Sequence, residues 1–242
     1  MLYALTSGVA KYVAQLMESG CKTWNDMIQA VCSPSSVFIE EGTELLVGEF
    51  GKRYQIYYSI LQLIANGMTS QAEIDSIIEK NTGRYLETLE TDYSLIHKMR
   101  PMWAKPNSQG IKYCIDDNFL CFWFRFIESN RSLVELGKFD LLAWDIMQNY
   151  PQISGFVLEK YFRQLYGEKP DTTEVGNWWA SDGKSEIDLI AIEKLNRHAT
   201  IAEVKRNIEC YDARLLSEKY ERIRKNLHGF QVELIGLSLQ DM

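Results

Sequence analysis

Features that define several large classes of proteins are scarce in this sequence. Five of its 242 residues are cysteine, and they are scattered, with no C-x-x-C pair. A disulfide framework or a zinc site requires closer, paired spacing, so neither is predicted. Apolar runs are short: Phe119 to Phe124 ends at Arg125, far below the roughly 20 residues that a membrane span requires. Because an export leader is also missing, we expect a cytoplasmic protein that does not enter a membrane.

A phosphate-binding loop and a positive net charge are missing as well. Gly183-Lys184-Ser185 imitates the tail of the pattern G-x-x-x-x-G-K-S/T, but Trp178 stands where the first glycine is required. We therefore predict that this chain alone does not bind ATP. The formal net charge is −7, from 26 Lys and Arg against 33 Asp and Glu. This balance argues against nucleic-acid binding through overall charge and leaves a local basic patch open.

The first half of the chain shows helical periodicity. Apolar residues up to about residue 50 recur at helical spacing, on segments too short to bury them without another body. Residues 51–115 follow the order of a winged helix. The order is a helix ended near Gly67, a second capped by Ser70 and Glu73, a third near 85–89, and strands at 95–99 and 111–115. For this module, DNA contact and a packing or protein-contact role both remain open, because carboxylates accompany its basic residues.

The next stretch, 116–150, is rich in aromatic residues and is interpreted as a helical connection. Such clusters are far more often core than a stacking platform for bases. Its members are Phe119, Phe122, Trp123, Phe124, Phe126 and Trp144. The last domain, 151–242, then opens with a helix near 153–166 that carries Glu159 at the edge of its apolar stripe. That predicted buried stripe is Ile153, Phe156, Val157, Tyr161 and Leu165.

Two strand-like segments of the last domain carry charged residues at alternate positions. In 185–192, period-two geometry puts Glu186 and Asp188 on one face, and Ile187 and Leu189 on the other. In 200–206, Glu203 and Lys205 share a face, opposite Ala202 and Val204. If the two strands are neighbours, Asp188, Glu203 and Lys205 meet at one end of the sheet.

This grouping suits a hard divalent cation, Mg²⁺ or Mn²⁺. Mg²⁺ usually takes one or two carboxylates together with water and phosphate oxygens. Asp188 and Glu203 supply the carboxylates, and the carbonyl of Val204 is a candidate third oxygen. Lys205 is placed to orient a metal-bound water or to stabilise charge that develops on a phosphate.

Asp188 followed by Glu203-Val204-Lys205 resembles the D…(D/E)-x-K signature of the PD-(D/E)XK nuclease superfamily. Glu159 matches the helix carboxylate that many members carry upstream. The resemblance implies a mixed α/β sheet of the restriction-endonuclease type, flanked by helices, with a helix near 213–227 and a strand at 232–237. It also implies a metal-dependent nuclease acting on DNA, with Glu159, Asp188, Glu203 and Lys205 as catalytic residues.

The likeness extends over nearly the whole chain. Four parts of the chain together resemble the C-terminal half of a family of prokaryotic AAA+ ATPases: the stretch Gly8–Ile60, the winged-helix pattern, the aromatic run Tyr113–Phe126 and the final domain. This resemblance implies an ATPase module as partner, with residues 1–50 as a remnant of the ATPase lid in a fragment or a shortened gene. Two functions remain open: a DNA endonuclease, or a non-catalytic adaptor that binds DNA or protein.

Overall fold

The computed structural model of the chain describes residues 2–51, 54–105 and 110–242. Within these ranges the chain has a mixed α/β architecture of eleven α-helices and two small sheets. It divides into two compact units. Unit 1 comprises Met1–Met99 and Lys112–Tyr150, and unit 2 comprises Arg100–Ile111 and Pro151–Met242. Among the residues described, no helix combines the length and the apolar character needed to cross a membrane.

Unit 1 is built around the aromatic run. Its first helices are α1 (Leu2–Thr6), α2 (Ala10–Glu18), α3 (Trp24–Val31) and α4 (Phe38–Phe50). Most of the run forms α8 (Asn118–Phe122) and a π-helical turn (Trp123–Ile127). The Trp123 indole lies so close to Gly42 that a Cβ there would come within 2.1 Å of it, and its N–H donates to the Ile39 carbonyl at 2.9 Å. Five of the six aromatic residues are core residues, whereas Trp144 is 63% exposed.

The middle of unit 1 has three helices followed by a hairpin. The helices are α5 (Tyr54–Ala65), α6 (Gln71–Ile78) and α7 (Gly83–Thr91), and the strands are β1 (Ile96–Met99) and β2 (Lys112–Ile115). Ser70 and Glu73 cap α6 reciprocally, as the sequence predicts. The hairpin is antiparallel, with Ile96 opposite Ile115. Residues 106–109 of the predicted turn lie outside the described residues.

The segment Arg100–Ile111 falls within the predicted winged helix, 51–115, but groups with unit 2. The backbone N–H of Met102 donates to the Asn177 carbonyl at 2.9 Å, and the Trp179 indole N–H donates to the Gly110 carbonyl at 3.2 Å. The Met102 side chain also lies against Gly176, where no Cβ obstructs it. These bonds pair the segment with a strand of unit 2, an interaction that local turn signals do not encode.

Unit 2 contains a four-stranded mixed sheet. Its strands are β3 (Glu174–Trp179), β4 (Glu186–Glu193), β5 (His198–Val204) and β6 (Gln231–Leu237), in the order β3-β4-β5-β6. The first three are antiparallel, and β6 lies parallel to β5. A parallel neighbour requires a crossover, which is the helix α11 (Ala213–Ile223). The remaining helices of the chain are α9 (Arg131–Glu135) and α10 (Phe139–Gly167), and α10 contributes residues to both units.

The sheet is covered on both faces. One face packs with Leu216 and Ile223 of α11, and the other with Leu158 and Phe162 of α10. The predicted stripe of α10 is only partly right. Phe156 is 65% exposed, whereas Tyr161 packs against the core beside buried Leu158 and Phe162. The side chain of Ile153 lies outside the described residues. Apolar residues lie on several faces of this helix, and packing against the sheet decides which of them are buried.

Candidate functional site

The site is centred on a β-bulge in β4. The β3–β4 register shifts between Gly176 and Trp178, so that Asp188 and Leu189 together oppose Asn177. The bulge reverses the alternation of the strand. Ile187 packs in the α11-side core and Leu189 in the α10-side core, so the prediction that both lie on one face is wrong.

The bulge coincides with the end of regular β4–β5 pairing. The last paired residues are Leu189 and Ala202. One residue further along, the Asp188 carboxylate accepts the backbone N–H of Val204 at 2.8 Å. A side chain thus replaces a strand-to-strand backbone bond, which holds Asp188, 7% exposed, at the end of the sheet.

Glu203 lies at the end of β5, on the α11 face. Its Oε1 accepts the Lys205 ammonium at 2.7 Å. The Lys219 ammonium, from α11, donates to both of its oxygens, at 2.9 and 2.7 Å. Lys205 also approaches Asp188, with 4.0 Å between Nζ and Oδ2. The structure therefore brings Asp188, Glu203 and Lys205 together, with Val204 between the last two.

Glu159 and Arg163 approach the site from α10. Arg163 Nη1 donates to the backbone carbonyl of Asp188 at 2.9 Å and lies 3.5 Å from Glu159 Oε2. The guanidinium therefore holds the backbone of the bulge and partly balances the Glu159 charge. The charge of Asp188 acts on Glu159, and no direct hydrogen bond joins the two carboxyl groups within the described residues.

The two carboxyl groups nearest the bulge bind protons more tightly than usual. Burial and then the charge of Glu203 raise the pKa of Asp188 to about 6, although the Val204 N–H and Lys205 oppose the shift. Burial and then the charge of Asp188 raise the pKa of Glu159 to about 8, against the opposing effect of Arg163. Carboxyl groups whose anions are disfavoured in this way, in close proximity, are typical of functional sites.

Tyr211 forms part of the wall beside Glu203. Its ring lies over Gly236 of β6, the register partner of Glu203, so closely that a Cβ on Gly236 would come within 2.6 Å. Burial and the neighbouring Glu203 carboxylate raise the pKa of the Tyr211 hydroxyl. Glycine at 236 thus permits an aromatic ring to lie next to the acidic end of β5.

The donor set fits a hard divalent cation in type but is small in number. Asp188 and Glu203 are oxygen donors, and two carboxylates with water suffice for Mg²⁺. Within the described part of the chain, no group of three or more His, Cys, Asp or Glu side chains is arranged to hold a metal ion. The N–H of Val204 is donated to Asp188, which fixes the backbone next to the carbonyl proposed as a third ligand.

Two charged contributors to the site were not predicted from the sequence. Lys219 occupies the apolar stripe of α11, three residues after Leu216 and four before Ile223, and a lysine on a buried face is a detectable signal. Arg163 follows Glu159 by one helical turn, which is a weaker signal because such pairs are common on exposed helices.

The candidate site lies in a part of the chain that matches a protein-family model. Residues 123–228 match the DUF234 family model, described as archaeal and bacterial proteins of unknown function. The match includes every residue from Glu159 to Lys219 described above, and its archaeal and bacterial membership agrees with a prokaryotic resemblance. An uncharacterized protein of Methanocaldococcus jannaschii is 28% identical over 214 residues, which are 84% of this chain and 47% of that protein. The chain thus spans about half the length of this relative. No solved structure matches the chain.

Proposed function

We propose that unit 2 is a metal-dependent nuclease domain of the PD-(D/E)XK type that acts on DNA. The observation that carries the proposal is the end of the β4–β5 pair. There, the bulge and the Val204 N–H hold a buried Asp188 beside Glu203 and Lys205. The mixed sheet with a parallel β5–β6 pair and an α11 crossover supports the same proposal.

The electrostatics of the site favour a bound cation. Burial disfavours the anions of Asp188 and Glu159, and the charges of Glu203 on Asp188 and of Asp188 on Glu159 add to this cost. A divalent cation would relieve both effects, and Asp188, Glu203 and the Val204 carbonyl are the proposed ligands for Mg²⁺ or Mn²⁺. When bound, such a cation lowers the pKa of its water and neutralises charge on a phosphate.

The chain's own residues have distinct roles in this proposal. Lys205 holds its ammonium next to both carboxylates, where it stabilises charge that develops on a phosphate oxygen or orients the attacking water. Arg163 keeps the Asp188 backbone in the bulge. Glu159 retains a proton near neutral pH and supports Asp188 from the α10 side.

The charge distribution supports DNA as the substrate of unit 2 rather than of unit 1. Unit 2 carries 15 Lys and Arg and 15 Asp and Glu, whereas unit 1 carries 11 and 18. Because phosphate repels acidic surfaces, the three-helix and hairpin module of unit 1 suits contact with protein better than contact with DNA. The AAA+ resemblance supports an ATPase module, in a longer protein or a separate chain, as that protein partner.

The test combines Mn²⁺ calorimetry with cleavage of single-stranded, duplex and branched DNA by the full chain. Wild type is expected to bind Mn²⁺ and to cleave at least one substrate. Asp188→Asn should lose metal binding, whereas Lys205→Met should retain it and lose cleavage by about 100-fold or more. Asp182→Asn, an exposed acid of the same unit, is the matched control and should change neither.

A second function, a non-catalytic adaptor with a retained nuclease-like fold, is favoured by one observation. Both Glu203 oxygens are already occupied by lysine ammonium groups. If wild type binds no Mn²⁺ at millimolar concentration and Asp188→Asn destabilises the fold like an ordinary core change, the nuclease proposal is wrong. The adaptor proposal would then stand in its place.

A further inference from the structure

Lys219 occupies a position where a lysine requires a specific partner. Its neighbours on the same face of α11, Leu216 and Ile223, are fully buried against the sheet, and its own side chain is 22% exposed. Placing an ammonium on such a face is unfavourable unless an acceptor compensates for lost hydration. The acceptor is Glu203, which Lys219 contacts through both carboxylate oxygens.

Lys219 and Lys205 therefore compete with any cation for Glu203. Both ammonium groups donate to Oε1, and Lys219 also takes Oε2. Three of the roughly four lone-pair sites of Glu203 are thus used, and a cation at the remaining one would lie next to an ammonium whose repulsion favours its release. Lys205 retains Asp188 as a second partner 4.0 Å away. Lys219 spans both carboxylate oxygens, whereas Lys205 donates to Oε1 alone, so a cation that takes either oxygen of Glu203 displaces a contact of Lys219.

The charges of the site indicate where the released ammonium is useful. In the structure, the negative charges of Asp188 and Glu203 are matched by Lys205 and Lys219. For these four residues, a divalent cation would leave a surplus of two positive charges, which would balance the negative charges of one phosphodiester and one attacking hydroxide. The same residues thus form a neutral cluster without substrate and an anion-binding cluster once a cation is present.

We infer that Lys219 is a second anion-contacting lysine of this site, which holds Glu203 while no cation is bound and contacts the substrate phosphate after releasing it. This inference rests on the proposed function and names a residue and a role outside the D…E-V-K motif. It predicts effects of opposite sign: without the Lys219 charge, cation binding becomes tighter and phosphate binding becomes weaker. A lysine that served only to stabilise the fold would not produce this pair of effects.

The experiment compares wild type with Lys219→Met and Lys219→Arg, using the full chain. Mn²⁺ affinity is measured by calorimetry. Binding of a short labelled DNA duplex is measured in Ca²⁺ across a series of salt concentrations. Lys219→Met should bind Mn²⁺ about two- to fivefold more tightly, since a competing ion pair is removed. Its slope of log affinity against log salt should be smaller by about 1, as expected for one lost phosphate contact.

Two controls isolate the role of Lys219. Lys219→Arg keeps the charge and should resemble wild type in both measurements. Lys194→Met removes the same charge at the opposite end of β4, where Lys194 pairs with Glu174, and should change neither. If Lys219→Met does not fold, Lys219→Gln serves as the second neutral variant.

The outcomes separate this inference from the proposed function. If wild type binds Mn²⁺ but the neutral variant binds it equally or more weakly, the inference about Lys219 is overturned and the metal site stands. An unchanged salt slope in the neutral variant also overturns it. If neither protein binds Mn²⁺, both proposals are wrong. If only the neutral variant binds Mn²⁺, Lys219 is supported as the group that blocks Glu203.

Discussion

Among the described residues, each unit contains one carboxylate that is 7% exposed, and the two have different partners. In unit 1, Glu41 accepts the Lys11 ammonium at 2.7 and 2.8 Å and the Tyr12 hydroxyl at 3.0 Å. In unit 2, Asp188 accepts one backbone N–H, has its nearest ammonium at 4.0 Å and lies near Glu203. The Glu41 carboxylate, whose charge and hydrogen-bonding capacity are satisfied by α2, fastens α2 to α4. The Asp188 carboxylate, which lacks a close cationic partner and lies beside another acid, indicates a binding site.

The largest expected effect comes from removing the well-matched carboxylate. Glu41→Ala should lower the free energy of unfolding of unit 1 by about 3 kcal/mol, because it leaves the Tyr12 hydroxyl unsatisfied and opens a cavity. Urea unfolding monitored by tyrosine and tryptophan fluorescence measures it. Glu44→Ala, an exposed change on the same helix, is the control and should cost less than about 0.5 kcal/mol. Equal effects of the two changes would contradict this account.

Glu159→Gln should raise the free energy of unfolding, by an amount that depends on pH. The folded-state pKa of Glu159 is about 8 and its ordinary value is 4.5, so the folded chain retains a proton that the unfolded chain releases in this window. Stability of wild type should therefore fall as pH rises from about 4.5 to 8. Glutamine stays neutral, so the variant should gain on the order of 2 kcal/mol at pH 8 and little at pH 4.5.

Thermal melts in EDTA at a series of pH values test this prediction. Glu168→Gln replaces an exposed acid just beyond the end of α10 and should leave the pH profile of wild type unchanged. A gain for Glu159→Gln that is the same at every pH would show that packing, rather than proton binding, is responsible.

Asp188→Asn should have a smaller effect of the same sign. The pKa of Asp188 is raised from 3.8 to about 6, so the cost of its anion appears over that range and is complete above it. Asparagine keeps an oxygen for the Val204 N–H. Without metal at pH 7.5, we expect the variant to equal wild type or exceed it by about 1 kcal/mol. A loss comparable to that of Glu41→Ala would remove the difference between the two units.

The smallest effect is expected for an ion pair that is exposed. Arg224 Nη1 lies 2.8 Å from Glu221 Oε2, and both side chains are more than half exposed. Arg224→Ala should change the free energy of unfolding by no more than the error of the measurement, since water already solvates both charges. A larger loss of stability in chemical denaturation would show that the turn at Arg224, directly after α11, is coupled to the α11 core.

The sequence predicted elements better than it predicted their phases. Local signals sufficed for the Ser70–Glu73 capping box, for the hairpin and for the strand that carries Glu203. The bulge at Asp188 could not be read from residues 185–192, because the run of apolar residues fits either face equally well. The buried face of α10 was also beyond reach, since Phe156 and Phe162 are chemically alike and only the sheet decides between them.

The residues of the candidate site were likewise predicted only in part. Asp188, Glu203 and Lys205 were found because they were predicted at the same end of two neighbouring strands, although the bulge rather than strict alternation sets the face of Asp188. Lys219 and Arg163 were missed because they approach from helices, and their partners are 16 and 25 residues away along the chain. Contacts of this kind depend on how a helix docks, which no local pattern specifies.

The bulge at Asp188–Leu189 can be removed by deleting one residue, which no substitution achieves. Deleting Leu189 alone would restore strict alternation along β4, while Ile187 and Ile190 would both still face the α11 core. The cost is the burial of one leucine, and the backbone that presents Asp188 to Val204 would straighten. Changing the length of one strand by a single residue therefore separates the architecture of unit 2 from the geometry of its acidic end.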